Sequence, residues 1–335
     1  MLNAPSVMRK NLPRHSAASF ELKEGTGAIT AMCPCGEFLE IYKIDKTFRV
    51  RSPEAIDPKE TNPNAMWVMS PMSDVGSANP IVARILLQGH EMLKAVAFDR
   101  EVDDEAVIKQ LHSCKELLLA CESAAKKTAF SIDSIIDQIR KSGLSRDSKG
   151  RGLNPFPQVT DLEAQCGAFL INANRVIKLV CELPQQFIPL DRHDSNFDYL
   201  AKRLEAAIGG NTPLVEFVKD NADGVRYLID LRNFHEHPKE KRTVIENFCL
   251  MPDSSIRMPM WHLSDQEPRP IKDEMDAANY FLMHIAEAML IHLVMHAVSR
   301  KFPYIIEEIP DDKVDEKAPI KYRLSLDISK LRMPT

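Results

Sequence analysis

Apolar residues recur at helical spacing along most of the chain from Pro80 onward, and this pattern restricts the fold more than any other feature. The segment IVARILLQGHEMLKAV has them at three- and four-residue intervals, and a second long pattern runs from Asp103 to about Lys141. Further patterns cover TDLEAQCGAFLINANRVIKLVCEL, SNFDYLAKRLEAAIG, NTPLVEFVKD through LRNFHEH, and about 272–299. Such spacing predicts amphipathic helices that pack against one another as a bundle.

Two helix boundaries are also predicted. Thr160 or Asp161 would cap the helix that follows it, since short polar side chains satisfy free N–H groups at a helix start. A kink is expected at Asn221 to Gly224, within the pattern that ends at LRNFHEH.

Short β-prone runs lie mainly outside these helices. FLEIYKI and TFRVR are separated only by Asp45 and Lys46, which predicts a tight hairpin. TVIENFCLM and SSIRMPMWHL are β-prone pieces before the last helix, and YIIEEIP and IKYRLSLDIS are strand candidates in the tail. We therefore predict a mainly α protein, a bundle of four to five helices with short β-hairpin elements near both termini.

Changes in composition predict five regions. Pro, Asn and Asp follow the first hairpin, and SGLSRDSKGRGLNPFP interrupts the helical patterns as a linker. The predicted regions are an irregular N-terminal region with a hairpin (1–77), a helical hairpin (78–145), a linker (146–159), a helical bundle (160–300) and a β-prone tail (301–335).

Charge and cysteine content exclude some classes of protein. The net charge of -5 argues against a general nucleic-acid coat, and seven scattered cysteines do not suggest a secreted disulfide framework. The start lacks an apolar signal-peptide core, and AEAMLIHLVMHAV is too short to span a bilayer. We expect a cytoplasmic protein without a membrane partner.

The stretch LRNFHEHP places unusual polar chemistry at the end of a core helix. Val225, Leu228 and Ile229 form an apolar stripe whose next member is Arg232. Burying a guanidinium costs free energy unless the charge is paired or hydrogen-bonded. One interpretation is structural, with Arg232 paired to Glu236 at i, i+4, a pair worth only about 0.3–0.5 kcal/mol. The other is a functional site.

Spacing limits the functional interpretation. Arg232 and His237 lie about 140° apart on an ideal helix and do not converge while the helix stays regular. Pro238 disfavours helical backbone at His237 and allows its imidazole to turn.

Arg-Asn-x-x-x-His near the end of a bundle helix resembles the HEPN superfamily, the higher eukaryote and prokaryote nucleotide-binding domains. Arg232, Asn233 and His237 match its pattern, and the resemblance covers at most Thr160 to about Arg300. It implies metal-independent RNA cleavage at a composite site formed by two domains. His237 would be the general base or acid, and Arg232 would neutralise the charge developing on the phosphate. Asn233 would orient His237 or the phosphate.

The resemblance also bears on partners. It implies RNA and a second copy of the chain as partners, and a partner or antitoxin protein whose identity the motif does not give. We predict His235 and Lys239 as substrate-binding residues and expect no cofactor and no metal. The alternative function is a non-catalytic helical interaction or dimerisation protein, since many HEPN-like domains are not nucleases.

Three other groups are weaker candidates. Cys33 and Cys35 could open a metal site, but no second cysteine or histidine pair lies nearby in sequence, so a turn before a strand is favoured. Among His284, His292 and His296, the latter two have metal-ligand spacing, although core or interface roles are commoner. Basic residues of the predicted linker could contact phosphate but are more typical of a solvated loop: Arg146, Lys149 and Arg151.

Overall fold

Strands contribute more to this protein than its sequence indicates. The computed structural model describes residues 13–192 and 194–327, with 48% helix and 15% strand in eight helices and several small sheets. The protein is therefore mixed α/β, and the prediction of a mainly α bundle is wrong. The error arose because edge strands and very short strands have little apolar alternation to detect.

The chain divides into two units. Unit 1 comprises Met1–His112 and Val298–Thr335, and unit 2 comprises Ser113–Ala297. Unit 2 is thus continuous in sequence, whereas unit 1 is assembled from two segments of the chain.

A four-stranded antiparallel sheet lies in unit 1, in the order β1-β2-β3-β4. The central strands β2 (Phe38–Tyr42) and β3 (Thr47–Arg51) form the predicted hairpin, closed by Lys43 N–H donating to Lys46 O at 2.9 Å. Ile41, Phe48 and Val50 form a buried cluster on this hairpin.

The edge strands β1 (Ala31–Pro34) and β4 (Val68–Ser73) were not predicted. Each contains a proline, Pro34 and Pro71, which cannot donate a ladder hydrogen bond. Proline is tolerated at a sheet edge, where one side of the strand lacks a partner. The same residues made these segments look irregular in the sequence.

Gly76 approaches the β2–β3 turn closely. A Cβ at Gly76 would lie 2.1 Å from Lys43 O and 2.5 Å from Lys46 N. The next residues bond to the same turn, with Ser77 N–H donating to Lys43 O at 2.9 Å and Ala78 N–H to Ile44 O at 3.0 Å. The chain can lie this close to the turn only because residue 76 lacks a side chain.

The C-terminal segment of unit 1 forms the predicted β pair. Strands β10 (Tyr304–Glu308) and β11 (Tyr322–Leu326) are antiparallel. Buried Gln88 accepts hydrogen bonds through Oε1 from the backbone of Lys321 at 2.8 Å and Tyr322 at 2.7 Å. Unit 1 also contains the short helix α1 (Pro53–Ile56) and a π-helical turn (Val82–Leu87) that leads into α2 (Gln88–Ala95). Helix α3 (Asp104–Ser142) begins in unit 1 and continues into unit 2 after His112.

Unit 2 contains the remaining helices. Asn196 and Thr212 cap two of them by accepting backbone N–H groups, as their side chains favour. The helical pattern is interrupted at Asn221, within the predicted kink. Asp161 precedes α4, but its side chain makes no capping hydrogen bond. The helices are α4 (Leu162–Glu182), α5 (Phe197–Ile208), α6 (Pro213–Asp220), α7 (Ala222–Glu236) and α8 (Ile271–Ala297).

Two small sheets interrupt these helices where β-prone pieces were noted. One has the order β5-β8-β9 and the other pairs β6 with β7. Trp261 of β8 is fully buried and its ring lies 6.0 Å from that of Phe169. The strands are β5 (Thr243–Glu246), β6 (Cys249–Leu250), β7 (Ile256–Arg257), β8 (Met260–Leu263) and β9 (Arg269–Pro270).

The segment predicted as a linker is an ordered loop within unit 2. Arg146 and Leu153 form a β-bridge, and Asp147 accepts the Arg151 N–H at 2.8 Å. Hydrogen bonds from backbone N–H groups lower the pKa of Asp147. The basic side chains of this loop are exposed, as expected of a solvated loop.

Helix α8 is the one helix among the described residues with the length and composition to cross a membrane. Its most apolar window has a mean hydropathy of 1.3, and 56% of that window is buried inside the protein. Core helices have the same properties, so α8 is weak evidence for a membrane span. The expectation of a cytoplasmic protein stays a prediction.

Candidate functional site

Helix α7 positions the residues of the Arg–Asn–His motif. Its buried positions are Ala222, Val225, Leu228 and Leu231. Leu231, rather than Arg232, continues the apolar face, and the Arg232 side chain is 27% exposed. Arg232 therefore lies on the flank of the buried stripe, where its side chain is only partly desolvated.

The Arg232 guanidinium is held by two neighbours on the same helix. Its Nη1 donates to Asn233 Oδ1 at 3.0 Å, and its Nη2 forms an ion pair with Glu236. The i, i+4 pair of the structural interpretation is therefore present. Arg232 Nε is buried and has no hydrogen-bond partner among residues 13–192 and 194–327.

His237 follows the last residue of α7. Its backbone has φ -130° and ψ 65°, outside the helical region, as expected before Pro238. The His237 N–H still donates to Asn233 O at 2.8 Å, and the residue is exposed. No hydrogen bond joins the Arg232 and His237 side chains in the described part of the chain. The two residues thus remain separate within one copy.

The two predicted substrate-binding residues are in different environments. Lys239 is exposed in the loop after His237, where its backbone N–H donates to Lys241 O at 3.2 Å. His235 is half-buried and packs on α4, since a Cβ at Gly167 would lie 3.0 Å from its Cε1. Its Nε2 is buried without a partner among the described residues.

His235 also lines an open cleft of about 860 Å³ between α4, α7 and β5. Arg232, Asn233, His237 and Lys239 are not among the residues that line it. Its walls combine small and apolar residues with one amide and two carboxylates: Gly167, Ala168, Ile171, Ile245, Asn247, Asp161 and Glu163. The structure therefore does not gather the five predicted residues into one pocket of a single chain.

Three comparisons with known proteins were without a match. No protein-family model matches the chain, and comparisons with curated proteins and with solved structures give no match. The resemblance to HEPN domains therefore depends on Arg232, Asn233 and His237 and on their helical setting.

A second polar cluster lies in unit 1 and was missed in the sequence. Donor atoms of Cys35, Glu40 and His112 lie within 4.8 Å of one another. The sequence pairs Cys35 with Cys33 as a weak metal candidate and does not connect either cysteine with Glu40 or His112. His112 is far away in sequence, so spacing alone gives no signal for this cluster.

The three histidines of α8 do not converge. His284 and His296 are exposed, whereas the ring of His292 stacks on Phe217 with centroids 4.9 Å apart. Partial burial lowers the pKa of His292 from its ordinary value of 6.5. His292 thus supports the packing of α8 on α6.

This environment predicts a pH dependence for unit 2. Because the pKa of His292 is lower folded than unfolded, the unfolded chain binds more protons below about pH 6.5. Stability is therefore full above this pH and decreases as the pH falls toward the folded pKa. We expect a lower denaturation midpoint at about pH 5 than at about pH 7, measured by Trp261 fluorescence in a Trp67→Phe background.

Two variants identify the source of this effect. His292→Gln should flatten the pH dependence, and His284→Gln, which changes an exposed histidine on the same helix, should leave it as in the parent. An unchanged pH dependence in His292→Gln would assign the effect to other groups.

Proposed function

We propose that this protein cleaves RNA without a metal ion, in the manner of HEPN domains, at a composite site formed by two copies of the chain. The observation that carries the proposal is the hydrogen-bonded Arg232–Asn233 pair followed, just after the end of α7, by solvent-exposed His237. His237 is exposed and the Arg232 side chain is partly exposed, which supports access by a phosphodiester.

The guanidinium is suited to binding a phosphate. Asn233 fixes one side of its planar fork at 3.0 Å, and 27% exposure leaves the side chain reachable by an anion. Arginine binds phosphate oxygens with two parallel N–H groups. A phosphate would compete with Glu236 for the Nη2 group, which makes Glu236 a negative modulator of binding in this proposal.

The chemistry requires a base and an acid. The ribose 2'-oxygen attacks the adjacent phosphorus while His237 of one copy accepts its proton. The P–O5' bond breaks, and a proton from the other His237 neutralises the leaving oxygen. The products are a 2',3'-cyclic phosphate and a 5'-hydroxyl. Arg232 stabilises the charge that develops on the non-bridging oxygens.

In this proposal a second copy of the chain brings an arginine and a histidine together, which one chain does not do. His237 lies beyond the regular part of α7, and its side chain shares no hydrogen bond with that of Arg232 within the described chain. Two copies related by a two-fold axis could bring the arginine of one toward the histidine of the other. The proposal therefore includes a homodimer.

The alternative is a non-catalytic interaction or dimerisation protein. The Arg232–Glu236 ion pair favours it, because Arg232 then needs no ligand. Such a protein would form the same dimer and would leave RNA intact.

The direct test incubates the wild-type protein with RNA and with DNA of the same sequence, in a chelator. Cleavage of RNA alone, with 2',3'-cyclic phosphate ends, is expected, because DNA lacks the attacking 2'-hydroxyl. Intact RNA across varied sequences and structures, or equal cleavage of DNA, would reject the nuclease. A dimer in sedimentation with intact RNA would instead support the alternative.

A further inference from the structure

Three potential metal ligands from distant parts of unit 1 lie together. Cys35 follows β1, Glu40 is in β2, and His112 is in α3. Cys35 and Glu40 are buried, and the His112 side chain is 11% exposed. Their thiol, carboxylate and imidazole donor atoms all lie within 4.8 Å of one another.

Neighbouring residues fix the Glu40 carboxylate. Tyr42 donates its hydroxyl to Glu40 Oε2, and Arg49 Nη2 lies 2.9 Å from Oε1. Metal-bound carboxylates are commonly held by such outer hydrogen bonds.

The His112 ring is also oriented. Its Nε2 lies 2.9 Å from Glu40 Oε1, and Phe38 packs against the imidazole edge-on with ring centroids 5.2 Å apart. Phe38 also carries the Arg49 guanidinium 4.0 Å from its ring centroid. The imidazole therefore presents one nitrogen toward the cluster, as a metal ligand must.

A purely protein-based explanation competes with a metal. Arg49 already balances the charge of Glu40, so the group could be a buried ion-pair network with a neutral Cys35 thiol. That network accounts for Glu40 and His112, since Arg49 Nη2 also lies 3.4 Å from His112 Nε2, and the Cys35 thiol contacts Cys33 O at 3.5 Å. A metal would instead take the thiolate, the carboxylate and the imidazole together as ligands, and zinc retention distinguishes the two explanations.

We propose that Cys35, Glu40 and His112 bind a divalent ion of the Zn²⁺ type. A sulfur, a nitrogen and an oxygen donor suit zinc, and three protein ligands leave a fourth position for another donor. Tetrahedral zinc needs donors roughly 3.4 Å apart, so the side chains adjust by about 1 Å. Binding takes the proton from the Cys35 thiol and releases it to solvent.

This site lies in unit 1 and is independent of the proposed RNA chemistry, which uses residues of unit 2 and no metal. Its expected role is structural. It would tie β2 to the first residues of α3, which belong to the same unit and are far from β2 in sequence.

The test uses the full-length reduced protein. A chelator first removes any bound metal, and the protein is then incubated with Zn²⁺ alone. Gel filtration removes unbound Zn²⁺, and mass spectrometry measures the metal that the protein retains. The wild type should retain about one zinc per chain, and Cys35→Ser and His112→Asn should lose it at least several-fold. Matched controls are Cys249→Ser and His90→Asn, which change a thiol and an imidazole outside the cluster and should retain zinc.

Cobalt gives an answer that does not depend on how the variants fold. Co²⁺ bound to the wild type should produce a thiolate-to-metal charge-transfer band, which Zn²⁺ should remove by competition. Zinc retention by the wild type no greater than by Cys35→Ser would overturn the proposal. A wild-type cobalt spectrum without a thiolate band would overturn it as well.

Discussion

Replacing His237 by alanine should lower the rate of RNA cleavage by about 10²–10⁴-fold, the usual contribution of a positioned general acid or base. His237 is exposed one residue beyond α7, so its side chain makes little contribution to packing. The loss should therefore occur without a change in the denaturation midpoint. Cleavage rates are measured on one RNA substrate, alongside thermal unfolding of each protein.

A matched control separates this effect from the loss of any surface histidine. His284 is also exposed and lies on α8, away from the motif, so His284→Ala should cleave like the wild type. Equal cleavage by His237→Ala and wild type would remove His237 from the mechanism.

Two further variants decide between the roles of Arg232. If it binds phosphate, Arg232→Lys should lose cleavage because lysine cannot replace the planar fork. Glu236→Gln should keep or strengthen RNA binding, because it frees Nη2 of Arg232. If Arg232 serves only its ion pair, both variants should change stability by no more than about 0.5 kcal/mol and leave RNA binding unaltered.

The largest expected effect on stability comes from Gly76→Ala, with a loss of about 3 kcal/mol or more. The added Cβ would overlap Lys43 O at 2.1 Å and Lys46 N at 2.5 Å, which are backbone atoms of the β2–β3 turn. Neither can move as a flexible side chain would. The hydrogen bonds that Ser77 and Ala78 donate to this turn should weaken together.

Urea titration followed by hydrogen exchange in peptides covering residues 38–51 measures this loss. Gly210→Ala is the control, since its Cβ meets only the end of the Glu205 side chain, at 3.3 Å. Midpoints that agree between the two variants would mean that the turn relaxes at little cost.

The sequence was informative where a local pattern determined the structure. The β2–β3 hairpin, the break at Asn221 and the β10–β11 pair are confirmed, because turn chemistry and alternation act over only a few residues. The overall class was wrong because prolines obscured β1 and β4, and because strands of two residues, such as β6 and β7, have no usable period.

The candidate site was predicted in part. The end of α7 and the non-helical backbone of His237 follow from Pro238 alone. The burial of Leu231 in place of Arg232 does not, because the rotation of a helix about its own axis depends on tertiary packing. The cluster of Cys35, Glu40 and His112 depends wholly on tertiary structure and has no local signature.

The division of the chain has a consequence for the order of events during synthesis. All residues of unit 2 have been translated once Ala297 is added, whereas unit 1 still lacks its second segment. Gln88 acquires its backbone donors only when Lys321 and Tyr322 emerge, more than 230 positions later. A nascent chain should therefore complete the inserted unit first and carry an unfinished N-terminal segment on the ribosome until the second segment of unit 1 has emerged.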